Sequence, residues 1–419
     1  MTSASETTNL SPSAQATSDK AKPDVLVITS ELPWPLNTGG HIRSFHVLKS
    51  LSQQFDVRVI AGVEMADDPG LPALGRNGVR VVPAFQSKRK PLAEFGRVSR
   101  ALVRGEPYVM FNRHNRPAMR QTIRQQLADK TPDVIYLDHL DPLAFRGLFP
   151  KNVPIVSDLH NVYSTLAKRV ASERKFPVNL YLHNEARLLG YMEKQVAAAA
   201  SVITTVSDME QSHLQKLGGR AVRLVPNGVD CAAFRHYPVG RNHEQPTLLY
   251  LGALSWQPNA KAAEFMARDV MPRILKERPD VRLQIVGRNP GPEVDALADL
   301  PNAEVHANVP DVGVYLEQAS ILAVPLDSGG GTRLKILEAF AAGLPVVSTP
   351  VGCEGIDCRH GEHLWVTERE QFAEGLLEAI ETPELATEFA ERGRQLAEET
   401  YDWSVIGKSA CAAVAEAVR

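Results

Sequence analysis

From Asp24 onward, short apolar runs alternate with stretches whose apolar residues fall three or four apart. "DVLVITS" (24–30) and "DVRVIAG" (56–62) are nearly unbroken apolar runs, which predicts strands buried on both faces of a parallel sheet. Between them, "HIRSFHVLKSLSQQF" places Ile42, Phe45, Leu48 and Leu51 at helical spacing. Further strands are predicted at "VRVVP", "DVIYLD", "VPIVSDLH" and "ASVITTVS". After "VRLVPNGVD" the alternation restarts with "TLLYLGAL", a helix over 260–277, then "VRLQIVG", "SILAVPL" and "LPVVSTP". The helix "RLKILEAFAAG" ends at Gly343, a residue suited to a left-handed C-cap. From about residue 369 the pattern is helical to the end.

Alternating strands and helices over 419 residues predict an α/β protein with two Rossmann-like domains facing across a cleft. The expected divisions are a disordered tail over 1–23, a first domain over 24–206 and a second over 207–401. The tail is assigned on its Ser/Thr/Ala-rich composition and its want of an apolar core segment. No apolar run approaches the roughly 20 residues that span a bilayer.

Composition narrows function only a little. The net charge of −3 argues against a strongly basic nucleic-acid binder. Cys231, Cys353, Cys358 and Cys411 show no metal-binding or redox spacing, so reduced thiols in a cytoplasmic protein are expected. Residues 88–124 depart from the average, with ten Lys and Arg against Glu94 and Glu106. Apolar residues interleave with these cations at near-helical spacing. The segment is read either as a solvated basic face or as a surface for an anionic lipid or acceptor, giving peripheral contact with the inner membrane face.

Two glycine-rich turns carry the chemistry. In "DSGGGTRLKILEAF", Gly329 to Gly331 follow a strand and feed a helix that begins with Arg333 and Lys335. Cations are disfavoured at a helix N-terminus by roughly 0.3–1 kcal/mol each. A diphosphate seated on the turn's N–H groups would reverse that preference. Glu338 follows one turn deeper, where a carboxylate can accept hydrogen bonds from paired hydroxyls such as a ribose diol. The plainer reading is a wet glycine turn with a Lys–Glu pair. A second turn, "NTGGHIRS", sets Gly39 and Gly40 ahead of a helix that carries Arg43. Neither turn fits the dinucleotide or P-loop fingerprints. "SDLHN" ends a buried strand with Asp158, His160 and Asn161 pointing to the cleft mouth, and "VPNGVD" puts Asn227 at the junction of the halves.

Together, "VPNGVD", "GGGTRLKILEAFAAGLPVVST", "DLHN" and "NTGGHIRS" resemble a GT-B fold glycosyltransferase of the family 4 type. The resemblance runs from about residue 24 to the end and is strongest over 222–355. It implies a retaining, metal-independent transfer from a UDP- or GDP-sugar co-substrate, with no other cofactor, to a glycan, lipid-linked or small-molecule acceptor. Polysaccharide assembly is the setting it suggests. It also implies that a last helix, over 402–419, crosses back to complete the first domain. Carried over residue by residue, it makes His160 a group near the reacting centre. Glu338 becomes the second Glu of an E-x7-E pattern, and Arg333 and Lys335 the charge-neutralising pair. Gly39, Gly40, Asn227, Gly252, Gly330, Gly331 and Thr332 join the donor site. Arg43, Asp158 and Asn161 fall on the acceptor side, and no residue is assigned to a metal.

The sequence departs from the pattern at three places. Gly330 stands where the first Glu of E-x7-E belongs, Ala253 where Arg is usual, and Pro258 and Asn259 near the expected Lys. Arg333 and Lys335 are expected to take over part of the diphosphate neutralisation. A nucleotide-sugar-binding protein with lapsed catalysis and a nucleotide-sugar 2-epimerase remain open as alternatives.

Overall fold

The structure, a computed structural model, describes residues 21–88, 91–172, 174–234, 245–328 and 332–419. The tail expected over 1–23 lies outside the described residues except for its last three. Seven strands build the first sheet: β1 (Asp24–Thr29), β2 (Asp56–Val63), β3 (Arg80–Phe85), β4 (Val134–Asp138), β5 (Ile155–Leu159), β6 (Val202–Thr205) and β7 (Val222–Leu224). They are parallel, in the order β3-β2-β1-β4-β5-β6-β7, with Val25 in register with both Val57 and Val134. The central strands are buried along their whole length, as their unbroken apolar runs require.

β7 pairs with β6 through Ile203 and Val222. The first sheet therefore continues past the boundary expected at 206/207, and the helix Asp208–Lys216 belongs to it. A three-residue edge strand has too few apolar positions to be read in advance. Six parallel strands form the second sheet, β8 (Thr247–Ala253), β9 (Arg282–Arg288), β10 (Ala303–Ala307), β11 (Ile321–Val324), β12 (Val346–Ser348) and β13 (Trp365–Val366), in the order β10-β9-β8-β11-β12-β13. The two edge strands, β10 and β13, carry no unbroken apolar run and escape the sequence pattern.

The helix Trp403–Val418 returns to the first domain, as expected. Trp403, Ile406 and Val414 share one core with Leu48 and Leu51 of the helix Gly39–Gln54 and with Val25 and Val27 of β1. The chain thus crosses between domains twice, and the crossings are bonded to each other. The Val229 N–H donates to the Tyr401 carbonyl at 2.9 Å, and the Trp403 N–H donates to the Val229 carbonyl at 3.0 Å. Gly228 sits tightly against this junction. A Cβ there would stand 2.7 Å from the Tyr401 carbonyl oxygen.

Candidate active site

The candidate residues leave the carboxyl ends of strands, where an open parallel sheet forms its crevice. β4 and β5 run in register with Asp138 opposite Asp158, so both carboxylates arrive at one edge. Asp158 is fully buried. Arg43 grips it through Nε at 3.0 Å and Nη2 at 2.6 Å, and the Thr204 hydroxyl donates to it at 2.6 Å. Burial favours the neutral acid, but the Arg43 charge and His160 outweigh it and hold Asp158 well below the usual carboxylate range.

The rest of the Arg43 guanidinium donates to the Val225 and Pro226 carbonyls at 2.8 and 3.0 Å and stands 3.4 Å from Asn227 Oδ1. The two residues read as acceptor-side, Arg43 and Asp158, are both buried and bonded to each other. At 1% exposure, Arg43 is spent inside the domain, tying the first helix and β5 to the interdomain linker. Asn227 accordingly lies beside Arg43 at the junction.

His160 is buried, with Nε2 3.0 Å from Asp138 Oδ1 and 3.2 Å from Asp158 Oδ2. Its neighbour is a residue that the sequence pattern does not single out. His139 follows Asp138 at φ +81°, a left-handed conformation costing a non-glycine residue on the order of 1–2 kcal/mol. Its N–H donates to the Asp158 carbonyl at 2.9 Å, which helps hold the strained turn. The two imidazole centroids are 3.6 Å apart, and His139 Nδ1 is 3.5 Å from Asp138 Oδ1. Burial resists charge on His139, but Asp138 outweighs it and raises the imidazole to about 9. At 24% side-chain exposure, His139 therefore presents a cation at neutral pH. Asp138, His139 and His160 also place one ligand atom each within 4.8 Å of one another, a set compatible with a metal ion as well as with a shared proton.

Gly40 backs onto this pair. A Cβ there would lie 3.5 Å from His139 Nε2 and 3.9 Å from His160 Nδ1. Gly39 meets the other domain, since its Cβ would lie 3.2 Å from Leu334 Cδ1. Leu334 opens the helix Leu334–Ala342, which ends at Gly343 in the left-handed region (φ 68°) as the sequence predicts. Arg333 is the residue just before this helix, not part of its first turn, and its side chain makes no cap. Gly330 and Gly331 lie outside the described residues. Thr332 follows them, and its buried hydroxyl has no hydrogen-bond partner among the described residues.

The cations at this helix start are poorly hydrated. Arg333 is buried and donates to the Val351 carbonyl at 3.2 Å. Burial lowers its pKa; Glu354 opposes that fall, and the charge of Arg169 in the first domain adds to it. Lys335 Nζ lies 4.7 Å above the Tyr250 ring and 3.3 Å from Asn259 Oδ1. Burial, reinforced by Arg333, lowers Lys335 to about 7. Burial raises Glu338, with Lys335 opposing the shift.

Asn259, noted in the sequence only as a departure, is a support here. It donates to the Ala253 carbonyl at 3.1 Å and accepts from the Tyr250 hydroxyl at 3.2 Å. A Cβ on Gly252 would come within 3.0 Å of the Asn259 side chain, so Gly252 is the residue that admits this anchor.

Two cavities open at the first domain's strand ends. One, of about 420 Å³, is lined by Gly40, Ser44, Met110, Arg113 and His139. The other, of about 570 Å³, is lined by Asn161, Arg169, Ser207, His213 and Lys216.

Comparisons with known proteins agree with this architecture. The family model "Glycosyltransferase Family 4" matches residues 47–233, and "Glycosyl transferases group 1" matches residues 245–382. Phosphatidyl-myo-inositol mannosyltransferase of Mycobacterium tuberculosis is 26% identical over 306 residues, covering 69% of this chain and 75% of its own. Among solved structures, sucrose-phosphate synthase from Thermosynechococcus elongatus superposes with a TM-score of 0.66 at 17% identity, covering 92% of this chain and 97% of its own. Anabaena HepE in complex with UDP and glucose gives 0.63 at 15% identity, covering 94% and 99%. The two matched families divide the chain as its two sheets do, and the structural neighbours share its fold. The chain belongs to the GT-B glycosyltransferases of the family 4 type.

Proposed function

We propose that this glycosyltransferase moves a sugar from a UDP- or GDP-sugar to a hydroxyl of a lipid-linked or glycan acceptor, with retention and without a catalytic metal. The observation that carries the reading is the meeting of Gly39 with Leu334. It brings the cationic helix start of the second domain against the His139–His160 pair of the first. Arg333 and Lys335, both short of water, face the place where charge develops on the leaving diphosphate. Preorganised cations there stabilise that charge without reorganising solvent.

Glu338 holds the ribose diol, and Thr332 and Gly252 border the nucleotide. Gly330 and Gly331, outside the described residues, are assigned to the diphosphate from the sequence alone. The acceptor enters the cavity beside His139. Its hydroxyl attacks on the leaving-group face, and the departing phosphate takes its proton. His160, fixed by two carboxylates, orients the donor sugar and shields the cationic transition state. His139, raised by Asp138, offers a cation beside the acceptor cavity. The lipid-linked acceptor is suggested by the mannosyltransferase relative, which is named for a phosphatidyl-inositol.

The test is calorimetric titration with UDP and with GDP in the presence of a chelator, repeated with Arg333→Ala. Saturable binding of one nucleotide is expected. Its affinity should fall about tenfold to a hundredfold in the variant, the equivalent of roughly 1.5–3 kcal/mol for a lost charge-assisted hydrogen bond. Undiminished affinity in the variant overturns the site. Failure of the native chain to bind either nucleotide overturns the UDP- or GDP-sugar donor, whereas binding without transfer to any acceptor favours a nucleotide-sugar-binding protein with lapsed catalysis.

A further inference from the structure

The helix Pro91–Arg104 presents apolar side chains to water. Phe95 is 73% exposed and Val103 is 89% exposed, with Leu102 beside it. Spacings of seven and eight residues put all three on one stripe of the helix. A second apolar knuckle stands at the start of the helix Val178–Ala199, where Phe176 is 79% exposed and Leu180 65%. Scattered exposed apolar residues need no explanation; a joined patch does.

Tyr108 links the two helices beside these knuckles. Its hydroxyl donates to Glu94 on the first helix, and its N–H donates to the Glu185 carboxylate on the second at 3.0 and 3.1 Å. The Tyr181 hydroxyl donates to the same carboxylate at 2.8 Å. Exposed cations accompany each knuckle, Arg100 and Arg104 on one, Arg174 and Lys175 on the other.

This narrows the expectation for the basic segment 88–124. Arg97 donates to the Asn112 and Asn115 carbonyls at 2.6 and 3.0 Å. Arg120 donates to Asn115 Oδ1 at 2.8 Å and to the Ala144 carbonyl at 3.3 Å. Both hold the fold. The second knuckle lies outside the segment altogether. Between the knuckles runs the turn Tyr108–Asn112, whose Val109 and Met110 line the same cavity as His139.

We propose that this two-part face docks on an anionic lipid bilayer, with the apolar knuckles in the headgroup boundary and the four cations against lipid phosphates. Charge complementarity selects the partner. Cations beside protruding aromatic and aliphatic side chains match a surface that is anionic outside and apolar just beneath. The face borders the cavity at His139, so a membrane-held acceptor is presented there. That last clause alone rests on the proposed acceptor class.

The test is flotation of the full chain with phosphatidylcholine vesicles, with and without phosphatidylglycerol. Three variants accompany it: Phe95→Ser with Val103→Ser, Phe176→Ser with Leu180→Ser, and Arg100→Glu with Arg104→Glu. The native chain is expected to float only with phosphatidylglycerol vesicles, and each variant to partition at least about tenfold more weakly. UDP or GDP binding, unchanged in all three, reports intact folding. Failure of the native chain to float overturns the proposal. So does either apolar variant floating as the native chain does, or a dimer in solution that the apolar variants abolish. Flotation uses no donor or acceptor, so its result is independent of the acceptor class, which transfer to a detergent-solubilised lipid acceptor tests separately.

Discussion

Lys335 is the residue whose chemistry depends most on its surroundings. Half-buried against Tyr250 and Asn259, and pushed by Arg333, its ammonium is lowered to about 7. A bound diphosphate favours the charged form and raises that value. Below pH 7 the free protein already carries the proton, so this group leaves nucleotide affinity unchanged. As pH rises through 7 the proton must be recaptured on binding, and affinity falls by up to about tenfold per unit until the bound-state value is passed. Nucleotide phosphates ionise near 6 and His139 near 9, so the window from about 7 to 8 isolates the lysine. Calorimetry across that window should show the slope in the native chain and a flat line in Lys335→Arg. Equal slopes would remove Lys335 from the site. The sequence made Lys335 conspicuous because a cation at a helix start is out of place. It gave no such signal for His139, since "LDH" at the end of β4 reads as the end of a strand. The charge and the strained turn of His139 exist only where β5 and the first helix pack against it.

At the scale of elements, Arg43 shows how a functional reading and a structural one separate. In the sequence it is a cation in the first turn after a glycine loop, which is how an anion-binding residue looks. In the fold it joins the helix Gly39–Gln54 to β5 and to the linker carbonyls of Val225 and Pro226. Arg43→Ala would leave Asp158 buried without its partner, a loss of about 3–5 kcal/mol. A markedly lower Tm by calorimetry is expected, and Arg43→Lys should not restore it because one ammonium cannot span four acceptors. An unchanged Tm with a raised acceptor KM would return Arg43 to the acceptor side. Strands were legible wherever both faces are buried, as in β1, β2 and β8. β7, β10 and β13 lie near or at sheet edges, where burial does not demand an apolar run. Their pairing partners, far away in sequence, decide them.

At the scale of the whole molecule, the first glycine turn matters because it touches the helix that opens at Leu334 in the second domain. Gly39 is the smallest residue available at the point where the domains meet, and Leu334 fills the space it leaves. Gly39→Leu should hold the domains apart. Small-angle scattering with nucleotide bound should show a larger radius of gyration than the native chain, while transfer falls at least about tenfold through displaced reacting groups. A native radius and native rate would mean that this contact does not set closure. The two-domain division and the returning last helix were anticipated from alternation and from the family resemblance. The placement of Gly39 on Leu334 was not, because it depends on the angle between two sheets.

That angle is governed at the paired crossings, where Val229 is bonded both to Tyr401 and to Trp403. A single tether would let one domain wander through a volume, and each encounter would be a diffusive search. Two strands bonded side by side resist sliding and stretching and leave mainly bending, so the relative motion reduces to a swing about one line. The entropy of bringing the donor loop to the acceptor loop is then largely removed when the chain folds, not at each turnover. Closure becomes a matter of a few backbone torsions near Gly228.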